Sequence, residues 1–150
     1  MKTKIISKRL LSLGLVFVLV SAITQVRGGT VTIHSTGDVV RGKTGSFVLN
    51  MNDMCFYDLE FVNFSVSGTA IPGVDYVPLV SPTFVLRVPC LPGQQCTTTC
   101  RPGVGVIPLQ TLPDPRASFF PQAYSVVVTL KAGPGYTIGE PSSAQIMINP

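Results

Sequence analysis

The sequence predicts an all-β sandwich of about seven strands, formed by one domain that follows a cleaved signal peptide. Short runs rich in β-branched and aromatic residues recur along the chain, each bounded by Gly, Pro, Asn or Asp. Beyond the N-terminal segment, apolar residues do not recur at helical spacing, and 13 prolines disfavour helices. The length is that of one domain with a single hydrophobic core.

The N-terminal segment has the pattern of a secretory signal peptide. Four basic residues between positions 2 and 9 precede an apolar run over 10–23. Small residues favour cleavage after Ala22, so that the signal spans 1–22, and cleavage as late as Gly28 is the alternative. The run is shorter than the roughly 20 residues of a spanning helix, which disfavours a membrane anchor. We therefore expect a domain over 29–150 that is exported to the periplasm, the cell surface or the medium, with no stable membrane span after cleavage.

Removal of this segment changes the net charge of the chain. The whole sequence carries +4, but from Ile23 onward seven basic residues balance seven acidic ones. A nucleic-acid-binding protein would show clustered Lys and Arg, which this chain lacks, so we expect no nucleic-acid partner.

Seven strands are predicted from the β-rich runs, and alternation supports their orientation. They cover about 30–35, 45–52, 56–66, 82–89, 103–111, 123–131 and 143–148. In the second strand, Phe47, Leu49 and Met51 share one face. The run from Tyr124 to Leu130 is apolar on nearly both faces, as is typical of a central strand.

Four cysteines in an exported chain predict two disulfides. The spacing is not the paired C-x-x-C pattern of zinc sites, which disfavours zinc. Cys90 and Cys96 flank a hairpin-like loop, which favours Cys90–Cys96 together with Cys55–Cys100. The pairing of Cys90 with Cys100 and of Cys55 with Cys96 stays open.

One motif connects the chain to a known family. After an alternating strand come Gly68-Thr69-Ala70, two variable residues, Gly73, one residue, and Asp75-Tyr76. Gly68 and Gly73 can take positive φ where the chain turns, Tyr76 can bury its ring in the core, and Asp75 can either cap the turn or bind calcium. This segment resembles the signature of Calx-beta domains, and the stretch from Val126 to Ile148 is similar to the end of such domains. The resemblance implies an immunoglobulin-like antiparallel β-sandwich. Members of the family occur in sodium–calcium exchangers, an integrin subunit and many bacterial surface proteins, as calcium-sensing or adhesive modules.

The resemblance also implies a calcium site, for which Asp75, Asp114 and Asp38 are the candidate ligands. Calcium binds six to eight oxygens, so several carboxylates must converge. Here Arg41 or Lys43 stands near the position of an expected Glu, and Arg116 lies close to Asp114. We therefore predict no cofactor, with weak calcium binding around Asp75 as the alternative.

The remaining residues favour binding over catalysis. The only histidine, His34, lies at a strand end, and no Gly-x-Ser-x-Gly motif is present. Phe119 and Phe120 lie in a Pro-rich loop, where they either plug the end of the core or contact a partner. We predict a non-enzymatic module for protein binding, adhesion or envelope structure, with a protein or surface partner that the sequence does not identify.

Overall fold

The computed structural model describes residues 28–55, 57–93, 100–113 and 122–150, and these form ten strands. The strands are β1 Thr30–Ser35, β2 Val39–Val40, β3 Thr44–Met54, β4 Leu59–Val62, β5 Phe64–Gly68, β6 Thr83–Arg87, β7 Arg101–Gln110, β8 Tyr124–Leu130, β9 Thr137–Ile138 and β10 Ser143–Asn149. The described residues contain no helix, and therefore none with the length and apolar composition that a membrane crossing requires. The predicted signal peptide, residues 1–22, lies outside the described residues.

The strands form two sheets in a sandwich-like arrangement. The large sheet has the order β4-β6-β7-β3-β1-β9, and the small sheet has the order β2-β10-β8-β5. Pairing is antiparallel except between β1 and β9 and between β10 and β2. β8 lies between β10 and β5, which confirms its prediction as a central strand.

The hydrophobic core takes one face from each sheet. On β3, Phe47, Leu49 and Met51 are buried while Asn50 is exposed, as the alternation predicts. Residues without solvent exposure include Val31, Ile33, Val62, Val85, Leu109, Val126, Val128, Ile146 and Ile148. Burial of each such side chain contributes about 1.5–3 kcal/mol, so the core supplies the main driving force for this arrangement.

The prediction of one strand over 56–66 is wrong, because the chain changes sheets at Asn63. β4 pairs with β6 in the large sheet, whereas β5 pairs with β8 in the small sheet. At the corner the Asn63 N–H donates to the Tyr136 hydroxyl at 3.0 Å, and that hydroxyl donates to the Lys131 carbonyl at 2.6 Å. A side chain thus satisfies the backbone group that leaves the ladder, and the sequence alternation continues unchanged across the corner.

The sequence pattern does not predict two of the strands, because they are too short to show periodicity. β2 and β9 have two residues each, and both pair in parallel at the edge of a sheet. Their pairing partners, β10 and β1, lie far away along the chain.

A disulfide joins Cys55, just after β3, to Cys100, just before β7. This is the pairing that the sequence favoured, and it excludes the pairing of Cys55 with Cys96. Cys90 is also disulfide-bonded, while Cys96 lies outside the described residues. The bridge ties the ends of two neighbouring strands of the large sheet.

Candidate functional site

The loop that follows β5 carries the Gly68–Tyr76 motif, and its two glycines occupy conformations that other residues avoid. Gly68 has φ +124°, and a Cβ there would overlap the carbonyl oxygen of Ser125. The same carbonyl accepts a hydrogen bond from the Ala70 N–H at 3.0 Å. Gly73 has φ +77° with open space around it. Both positive φ values agree with the turn role that the sequence predicts.

Asp75 closes this loop from the inside. Its side chain has no solvent exposure, and Oδ2 accepts a hydrogen bond from the Ile71 N–H at 2.7 Å. Its own backbone N–H donates to the Ile71 carbonyl at 2.8 Å. The carboxylate therefore caps the turn, which is one of the two roles that the residue type permits.

A cation also faces this carboxylate. Arg41, in the turn after β2, places Nη2 at 2.9 Å from Asp75 Oδ1, and its side chain is only 8% exposed. The guanidinium carbon lies 5.3 Å from the ring centroid of Tyr124 on β8, within cation–π range. The pair neutralises a buried charge and connects the motif loop to the β2–β3 turn and to the small sheet.

Tyr76 is buried next to Asp75, as the sequence predicts for its ring. Burial raises the pKa of the Tyr76 hydroxyl above its usual value near 10, and the Asp75 carboxylate raises it further. Both effects disfavour a second negative charge in a site of low polarity.

The three calcium candidates have different surroundings. The Asp75 carboxylate accepts hydrogen bonds from Arg41 and from the Ile71 N–H. Asp38 Oδ1 accepts a hydrogen bond from the Met147 N–H at 3.0 Å. Asp114 lies outside the described residues. No group of three His, Cys, Asp or Glu side chains converges within the described parts of the chain. Weak calcium binding around Asp75 stays the alternative to the prediction of no cofactor, and it would require the ion to displace Arg41.

Phe119 and Phe120, the predicted partner contacts, also lie outside the described residues. His34 is exposed on β1, with Nδ1 at 3.2 Å from Asn50 Nδ2. The His34 side chain thus contacts a residue on the neighbouring strand β3.

The outer face of the large sheet holds a set of exposed apolar residues that the sequence analysis did not single out. These residues, which we term the apolar face, alternate with buried positions on β4, β6 and β7: Leu59, Phe61, Phe84, Leu86, Val104 and Val106. Cross-strand pairing sets Leu59 beside Leu86, Phe61 beside Phe84, and Leu86 beside Val104. Each of the six side chains keeps between 40% and 55% of its surface exposed.

A sequence signal for this face does exist. The run Phe84-Val85-Leu86 is apolar at every position, although only Val85 is buried in the core. Runs that are apolar on both faces belong either to a central strand covered on both sides or to a strand with an apolar outer face. Only burial in the tertiary structure distinguishes the two. Val85 is fully buried while Phe84 and Leu86 are about half exposed, so β6 has the core on one side alone.

A shallow cleft borders the apolar face. It measures about 300 Å³ and lies between the segment 77–80 and the end of β7, where Val106 and Pro108 form its wall. Val80, which also lines the cleft, is 78% exposed. The cleft therefore extends the apolar surface toward the motif loop.

Neither a scan against protein-family models nor a search of curated proteins finds a match to this chain. The resemblance to Calx-beta domains therefore rests on the motif residues alone.

Proposed function

We propose that this chain is an exported, non-enzymatic module of the Calx-beta type, with an immunoglobulin-like order of strands, which functions by binding a protein partner in adhesion or envelope structure. The observation that carries this proposal is the apolar face. Export is supported by the signal-like N-terminal segment and by the Cys55–Cys100 disulfide, since disulfides persist in oxidising compartments.

The extent of the apolar face supports a binding role. A fully exposed aromatic side chain presents about 150–250 Å², and Leu and Val present less. Two Phe, two Leu and two Val residues that are each about half exposed therefore present on the order of 500 Å² together. The largest apolar patch on a typical monomer covers about 300–600 Å², and patches of this size are often functional. The two phenylalanines are the strongest anchors, because aromatic residues dominate binding energies.

The chemistry of the motif loop supports a framework role for Asp75. A carboxylate held by Arg41 and the Ile71 N–H stabilises the turn and leaves the calcium-dependent alternative with a competing cation at its main ligand. The proposed binding surface therefore lies on the large sheet and not at the motif.

Photo-crosslinking tests the proposal in cells that produce the protein. A photoreactive phenylalanine analogue in place of Phe84 is expected to form a covalent adduct with a protein on the outside of the cytoplasmic membrane. The matched control places the same analogue at Gln145, which is exposed on the small sheet. Equal labelling from both positions, or none from either, would refute the apolar face as a binding surface.

A further inference from the structure

We infer that the partner of the apolar face is a second copy of this chain, and that the two copies pack their large sheets face to face around a two-fold axis. This inference rests on the proposed function, since it assigns the partner of the same surface. It follows from the charge, the shape and the area of the apolar face.

The charge of the face permits contact with itself. A two-fold interface brings the same patch of both copies together, so any concentration of one charge sign would repel its own image. The outward positions of β4, β6 and β7 carry no charged residue, and the ion pair between Arg87 and Asp58 lies at the ends of β6 and β4. From Ile23 onward the chain has no net charge, so two copies do not repel each other at long range.

The shape of the face is complementary to itself under one particular rotation. The large side chains Phe61 and Phe84 form a ridge on β4 and β6, while Val104 and Val106 form a lower strip on β7. A two-fold axis parallel to the strands, between β6 and β7, places β6 of each copy over β7 of the other, so that Phe84 meets Val106. The same rotation places β4 over β3, so that Phe61 meets Val48. Sheets that pack in this manner lie about 10 Å apart, with aligned strands.

The area matches that of a stable dimer. A standard interface buries about 800 Å² on each partner, and homodimer interfaces are about 65% apolar, which corresponds to about 500 Å² of apolar surface per copy. The apolar face offers about the same area. A dimer would therefore bury the apolar face together with a polar rim of about 300 Å² per copy.

The rotation places position 84 of one copy opposite position 106 of the other, which permits a charge-complementation test. Sedimentation velocity of the purified, disulfide-intact protein from about 1 to 100 µM is expected to show a shift from one copy to two. Phe84→Glu and Val106→Lys are each expected to raise the dimer dissociation constant at least about tenfold. An equimolar mixture of these two variants is expected to form a heterodimer, because the introduced Glu and Lys then face each other.

The controls separate loss of contact from loss of folding. Both substitutions lie at positions that are half exposed, so circular dichroism and the urea midpoint, measured at a concentration where the wild type is monomeric, are expected to stay close to those of the wild type. Gln145→Glu on the small sheet is expected to leave the dimer unchanged. A wild-type protein that stays monomeric over the whole range overturns the inference, as does a mixture of the two variants that fails to associate.

The proposed function fails on a different result. If the purified protein is monomeric while the photoreactive group at position 84 captures another protein in cells, the second-copy inference is wrong and the binding role stands. If the group at position 84 captures nothing, the binding role fails as well.

Discussion

Replacement of Arg41 by Met removes the cation that faces a fully buried carboxylate. Asp75 has no solvent exposure, so water cannot replace the lost partner. Removal of one member of a buried ion pair costs about 3–5 kcal/mol, and loss of the contact with Tyr124 adds about 0.5–2 kcal/mol. We expect R41M to lower the free energy of unfolding by about 4 kcal/mol, a large share of the roughly 5–15 kcal/mol of a typical domain.

The partner substitution isolates the interaction between the two charges. Asp75→Asn keeps an oxygen that accepts the Ile71 hydrogen bond but removes the negative charge. Because the long Arg41 side chain can reach toward water, we expect a smaller loss of about 2–3 kcal/mol. The double variant R41M/D75N carries neither charge, so we expect it to be about 2 kcal/mol more stable than the sum of the single effects predicts.

Urea unfolding, followed by circular dichroism with the disulfides intact, measures these differences. With an m value of about 2 kcal/mol/M, R41M is expected to shift the midpoint by about 2 M. Arg87→Met is the matched control, because Arg87 pairs with Asp58, whose side chain is 80% exposed, and such pairs contribute about 0–1 kcal/mol. If R41M costs no more than R87M, or if the single effects add within about 0.5 kcal/mol, the argument from burial is refuted.

Three further predictions concern the motif loop. Gly68→Ala is expected to lower the free energy of unfolding by more than about 3 kcal/mol, because its Cβ would overlap the Ser125 carbonyl. Gly73→Ala is expected to lower it by about 1 kcal/mol, from the positive φ alone, and equal losses in urea unfolding would contradict this difference. The free energy of unfolding is expected to fall as the pH rises above 10, because the raised pKa of Tyr76 makes the unfolded state lose the hydroxyl proton at a lower pH than the folded state. Tyr76→Phe should reduce this loss of stability with pH, and an unchanged dependence on pH would contradict the prediction. Calcium at about 10 mM is expected to leave the melting temperature unchanged, because Arg41 holds the Asp75 carboxylate. A site with a Kd of about 1 mM would instead add about 1.4 kcal/mol of stability, and a thermal melt that showed this increase would contradict the prediction.

Local features of the chain were predictable because their causes are local. Alternation on β3 follows from the opposite orientation of successive side chains, and it correctly placed Phe47 and Leu49 on one face, which the structure buries in the core. Gly68 and Gly73 were correctly assigned to positive φ, because glycine tolerates that conformation without steric cost.

Contacts between residues far apart in the sequence determined the features that the sequence did not predict. The change of sheet at Asn63 leaves the sequence alternation intact, so only the pairing of β4 with β6 and of β5 with β8 shows it. The Arg41–Asp75 ion pair joins residues that are 34 positions apart, and neither residue type by itself predicts which partner it will bind.

The apolar face shows the same division most clearly. The amino-acid order established that β6 is apolar on both of its sides, because side-chain chemistry and the two-residue period of a strand are properties of a single segment. Which side meets the core, and which side combines with β4 and β7 into one exposed surface, depended on the tertiary structure. The physical reason is that burial is shared among strands that are distant in sequence, so no single strand can determine which of its faces is covered.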